Sequence, residues 1–150
     1  MKISQKGIDL IKGFEGLKLS AYKCSANVST IGYGSTFYPD FKPVKMGDKL
    51  KDKQEAEELL KVTLIEFEKN VSALFYNVIL KQNQFDALVS FAFNLGTGAL
   101  AGSTLFRKVK INPNDQTISL EFAKWVNAGG KRLPGLVRRR KAESDLYFMQ

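Results

Sequence analysis

The sequence has no histidine, one cysteine and four prolines in 150 residues. Without histidine there is no Ser-His or Cys-His dyad and no imidazole-ligated zinc. A lone cysteine, Cys24, excludes an intrachain disulfide. Long apolar runs are missing as well. The most membrane-like stretch, 87–102, is uncharged but shorter than the ~20 residues that a spanning helix needs. It also contains Asn94, Gly96, Thr97 and Gly98, so it reads as a core helix followed by a glycine turn, and no stable membrane insertion is expected. At the N-terminus Asp9 and Lys12 interrupt any signal-like apolar region, and the chain is expected to be made in the cytoplasm. Neither low-complexity sequence nor a heptad or collagen period is present. Carboxylates are left as the principal acid–base groups.

With 44% apolar and 25% charged residues, the chain has the make-up of a globular domain. A chain of this length buries roughly 70% of its unfolded surface, enough for one core, and a single domain over residues 1–150 is expected. Twenty-three Lys and Arg against fifteen Asp and Glu leave a net charge of +8. That excess favours a polyanion: nucleic acid, an acidic membrane surface or an anionic wall polymer.

Periodicity gives a mostly helical reading with one small sheet near the start. Ile8, Ile11 and Phe14 recur every three residues after a possible Ser4 cap, predicting a helix that stops near Gly16. From Leu17 to Phe37, alternation and β-branched residues punctuated by Gly32 and Gly34 predict a small β-meander. Asp52 followed by Glu55 resembles a capping box, and it opens a long helix able to join a small lobe to a larger one. Further helices are expected from Asn83 to Gly96, from Thr104 to Lys110, from Asp115 to Trp125 and from Pro134 to Tyr147.

The spacing of three residues carries chemistry. Glu15 ends the first helix, Cys24 follows nine positions later and Thr30 six after that. Extended chain over nine residues reaches ~30 Å, so the three meet only if the meander folds back beside the helix end. Taken singly, Glu15 is an ordinary solvated carboxylate, Cys24 a small apolar filler and Thr30 a strand residue.

The joint pattern Glu15…Cys24…Thr30-Ile31-Gly32-Tyr33-Gly34-Ser35 resembles the bacteriophage-type lysozymes, the endolysins of glycoside hydrolase family 24. The resemblance continues through Gln84–Gly96, Ser103-Thr104-Leu105, Trp125–Gly130 and Pro134–Glu143, so it covers essentially the whole chain. It implies an α+β, lysozyme-like fold, mainly helical, with an N-terminal β-meander and an interlobe cleft. It further implies a muramidase cutting the β-1,4 bond between N-acetylmuramic acid and N-acetylglucosamine in peptidoglycan, for host cell lysis. No cofactor or metal is implied, the chain is expected to be a monomer, and a holin would give it access to the wall from the cytoplasm. A catalytically silent peptidoglycan-binding module on the same scaffold is the alternative.

By the same resemblance Glu15 is the proton donor, and Cys24, where many relatives carry aspartate, holds a water together with Thr30. A model thiol titrates near ~8.5 against ~3.9 for aspartic acid, so an unperturbed Cys24 is a poor resting base at neutral pH. Three roles stay open: a base whose pKa is lowered with help from Lys23, a group that orients water, and a nucleophile that would give retention. Tyr33, Phe93 and Asn127 fall where the family binds saccharide; Tyr33 equally suits packing, the helical spacing of Phe93 favours the core over the cleft, and Asn127 suits a turn before Gly129-Gly130.

Lys131, Arg132, Arg138, Arg139, Arg140 and Lys141 form a basic stretch, interrupted by Glu143 and Asp145. With no nucleic-acid motif beside it, the stretch reads as a solvated face drawn to the anionic envelope, and no nucleic-acid partner is expected.

Overall fold

In the computed structural model, which describes residues 1–150, helix α1 runs Gln5–Glu15 and buries Ile8 and Ile11. Phe14, the third member of the expected face, is 37% exposed. A strict three-residue spacing drifts about 60° per step around a 3.6-residue helix, so the third residue leaves the buried stripe. Ser4 does not cap this helix through its side chain. Its hydroxyl and its N–H both donate to the Asp86 carboxylate, which ties down the N-terminus. At the other end the Gly16 N–H closes the last turn on the Lys12 carbonyl at 3.2 Å, and Gly16 takes φ +71°, which glycine adopts without a Cβ penalty.

Strands β1 (Lys18–Lys23) and β2 (Ser29–Gly32) form an antiparallel hairpin with Tyr22 opposite Thr30 and Lys23 opposite Ser29. The small N-terminal sheet expected from the alternation is present as this hairpin, with a further single bridge from Ser20 of β1 to Lys49. Beyond Gly32 and Gly34, both at positive φ, the chain turns back at once, and only isolated bridges form, Ile31 to Ser35 and Phe37 to Pro43.

Helix α2 (Lys53–Leu74) starts with Asp52 accepting the Glu55 N–H at 2.9 Å, while the Glu55 carboxylate reaches back to the Lys51 N–H. The box thus closes one residue earlier than Asp52. Ala56, Leu59, Leu60, Leu64 and Val71 make its buried stripe.

The chain divides into two compact units, residues 11–66 and residues 1–10 with 67–150; the boundaries fall inside α1 and α2. In the first, Ser35 and Thr63 share a hydroxyl hydrogen bond at 2.9 Å, and Lys12 pairs with Glu57 at 2.7 Å.

In the second unit α3 (Gln82–Leu95) is buried continuously from Gln84 to Ala92, as befits a helix surrounded by others. Gly96, at φ +100°, ends it; the short α4 (Thr97–Ala101) follows, a helix not expected from the sequence. Helix α5 (Thr104–Ile111) is capped by the Ser103 side chain, and α6 covers Ile118–Ala123. Strands β3 (Asn127–Ala128) and β4 (Lys131–Arg132) then make a small hairpin whose turn, Gly129-Gly130, has both residues at positive φ. Helix α7 (Pro134–Tyr147) packs along α3.

One expectation is corrected on α7. The basic stretch is not a uniformly solvated face, because Arg139 and Arg140 are only 4% and 1% exposed. Their three- and four-residue spacing to Glu143 lets one buried carboxylate face both guanidinium groups, at 3.0 Å from Arg140 and 3.4 Å from Arg139. Arg140 also donates to Asn94 and lies over the Phe91 ring. One carboxylate offsets part of the cost of burying two guanidinium groups, and Arg140 Nε and Nη1 and Glu143 Oε1 have no hydrogen-bond partner.

Candidate active site

Glu15 occupies the last turn of α1 and is half-buried. Cys24 opens the turn of the β1–β2 hairpin, where its N–H donates to the Val28 carbonyl at 3.0 Å and its carbonyl accepts the Asn27 N–H at 2.8 Å. Asn27 takes a left-handed φ of +60°, a conformation asparagine tolerates better than most residues, and this closes the turn tightly. Around the sulfur, the N–H groups of Val28 and Ala26 and the Thr30 hydroxyl act as hydrogen-bond donors, and together they hold the thiol below its ordinary pKa against a smaller effect of desolvation. Lys23, expected to assist, is not among the causes.

Thr30 is 4% exposed on β2, and its hydroxyl donates to the Val28 carbonyl at 2.9 Å. A hydroxyl has one proton, so the same group cannot serve Val28 and a Cys24 thiolate together. In this structure the Thr30 proton is directed at the Val28 carbonyl.

Tyr22 joins these groups and was not singled out from sequence. Its phenol is pushed above the usual value by burial first, then by the negative charges of Glu15 and Cys24. The strand period was the available signal: Tyr22 and Cys24 are two residues apart, and Tyr22 stands opposite Thr30. Glu15, Tyr22, Cys24 and Thr30 are thereby gathered in one unit.

Tyr33 lies in the same unit, only 5% exposed, with the Lys12 ammonium 5.5 Å from its ring centroid. Phe93 and Asn127 belong to the other unit. Phe93 is half-buried and meets Phe67 edge-on at 5.4 Å, whereas Asn127 is exposed at the start of β3. No group of three His, Cys, Asp or Glu side chains is placed to hold a metal ion.

A small N-terminal hairpin, followed in the chain by a helical unit built round one buried helix, is the fold of the lysozyme-type glycoside hydrolases. The chain belongs to the phage lysozyme family, whose profile matches residues 12–143. It is 44% identical over 150 residues to the endolysin of Bacillus phage B103, covering 99% of this chain and 54% of that one. The chain thus spans about half of that relative, but with the endolysin of Salmonella phage P22 it shares 40% identity over 99% of both. Among solved structures, the endolysin of Escherichia coli O157:H7 phage FAHEc1 superposes with a TM-score of 0.87 at 39% identity, over 99% of this chain and 94% of that one.

Proposed function

We propose that the chain is a peptidoglycan-hydrolysing lysis enzyme that cuts the β-1,4 bond between N-acetylmuramic acid and N-acetylglucosamine. Glu15 gives its proton to the glycosidic oxygen as the bond to the anomeric carbon breaks. A water held by Cys24 and Thr30 adds its oxygen to that carbon from the opposite face and inverts it. The water's proton leaves through Cys24 when the sulfur is ionised, or to solvent when it is not. Tyr33, Phe93 and Asn127 supply the apolar and amide contacts that N-acetyl sugars need. One catalytic domain over residues 1–150 works as a monomer without cofactor or metal, and waits in the host cytoplasm until a holin opens the membrane.

The observation that supports the reading is the phage lysozyme profile match over residues 12–143, within which the hairpin turn holds Cys24 and Thr30 on one Val28 carbonyl, at 3.0 and 2.9 Å. The test is release of reducing ends from purified peptidoglycan, with products identified by mass spectrometry, for the wild type and Glu15→Gln of equal circular dichroism. Loss of about a hundredfold or more in the folded variant supports the assignment. A folded wild type that binds peptidoglycan and releases nothing makes the chain a silent binding module.

A further inference from the structure

Outside the site, the chain leaving α2 and the end of α5 expose Tyr76, Ile79 and Ile111 at 81%, 95% and 85%. Single exposed apolar residues are ordinary, but two of these, Ile79 and Ile111, share one surface. Ile79 and Ile111 line one concavity with Val78, Lys81 and Lys110. Phe75 and Phe106 pack with ring centroids 5.2 Å apart, and the ammonium of Lys110 rests 5.5 Å from the Phe106 centroid.

The two rims are clamped to each other. Buried Gln84 accepts the Lys81 N–H at 2.9 Å and donates to the Pro113 carbonyl at 3.1 Å, and the Tyr147 hydroxyl donates to that carbonyl at 2.7 Å. The apolar tips are thus displayed on a fixed frame.

Charge decides what the face fits. No carboxylate lines the concavity, and its two charged residues, Lys81 and Lys110, are both cations. Asp115, the nearest acid in sequence, is engaged by the hydroxyl and N–H of Thr117, and Lys108 on the same helix is tied to Glu121 at 2.8 Å. A second copy docked on the same face by a twofold axis would bring lysine against lysine. Nucleic acid would match the lysines and leave the isoleucines in water. A bilayer with anionic headgroups satisfies both: apolar tips enter the boundary of the acyl chains while ammonium groups stay among the phosphates.

We propose that this face docks the protein peripherally on an anionic lipid surface, through Ile79 and Ile111 flanked by Lys81 and Lys110. The contact is interfacial, and no helix is long and apolar enough to cross a membrane. It stands apart from the glycosidase reading.

The test is co-sedimentation of the full chain with phosphatidylglycerol–phosphatidylethanolamine vesicles and, separately, with phosphatidylcholine vesicles. The wild type is expected to bind the former and to lose binding as salt rises. Ile79→Ser with Ile111→Ser is expected to bind about tenfold more weakly, while its dichroism and its action on purified peptidoglycan stay unchanged. A single Ile79→Trp, read by a blue shift of its emission on anionic vesicles, reports burial of the tip independently. The proposal is overturned by equal binding to neutral vesicles, by full binding of the double serine variant, or by a wild-type dimer in sedimentation velocity that the double variant abolishes.

Discussion

Cys24 and Thr30 converge on one acceptor in the hairpin turn, the Val28 carbonyl: the Cys24 N–H donates to it at 3.0 Å and the Thr30 hydroxyl at 2.9 Å. The same turn holds the Cys24 thiol below its ordinary pKa, because the Val28 and Ala26 N–H groups favour the charged form.

The first consequence is chemical. Cys24 alkylation by iodoacetamide is expected to show its half-maximal rate at a pH below that of the same protein in urea, because the Val28 and Ala26 N–H groups favour the thiolate. The sign for stability follows. The folded value is the lower one, so the stabilisation is complete above the unfolded thiol's pKa, near ~8.5, and is lost as pH falls through the folded value. Equal profiles in both states would show that the turn exerts no such field.

Cys24→Asp tests the same turn with the other acceptor. Aspartate is ionised from about pH 4 upward, so the variant is expected to keep activity within about tenfold and to extend it toward acid pH. Cys24→Ala, which removes the acceptor, is expected to lose about a hundredfold. Reducing-end release across pH reads both. A fully active alanine variant would leave Cys24 without a part in the reaction.

Glu143 governs stability rather than chemistry. Burial raises its pKa against the opposing charges of Arg140 and Arg139, and the Ser90 hydroxyl donates to it at 2.5 Å. Glu143→Ala strands two buried guanidinium groups and is expected to cost about 3–5 kcal/mol in urea unfolding. A loss below about 1 kcal/mol would mean that water reaches the pair.

Glu121 offers a pH-dependent counterpart. Hydrogen bonds from Lys108 and Lys124 hold its carboxyl below the usual range, and it is 4% exposed. Its contribution is therefore present above about pH 4.3 and lost as pH falls through the folded value. Lys124 is exposed, so its arm counts for little; Glu121→Gln is expected to cost about 1–2 kcal/mol at neutral pH and nearly nothing near pH 3. Unfolding at the two pH values checks the difference.

Much of the helical order is legible in the chain. The stop of α1 at Gly16, the cap at Asp52, the end of α3 at Gly96 and the proline that opens α7 are local signals read by adjacent backbone groups, so a short window contains them. Less legible is the sheet. Alternation from Leu17 to Phe37 suggests a small meander, but which segments pair depends on where Gly32 and Gly34 send the chain, and periodicity carries no such information. The β3–β4 hairpin was hidden because two-residue strands have no period to detect.

By itself the sequence determined which chemistry was available: no imidazole and no disulfide, but a carboxyl, a thiol and a hydroxyl at a spacing that resembles one enzyme family. Its local patterns also determined where most helices begin and end. Only the tertiary structure decided that Tyr22 shares the surroundings of Glu15 and Cys24, and that Arg139 and Arg140 turn inward to Glu143 while Arg138 and Lys141 stay in water. The physical reason is range. Caps and turns are set by neighbours a few positions away, whereas the burial of a charge and the field at a phenol depend on groups that the sequence holds apart and the fold brings together.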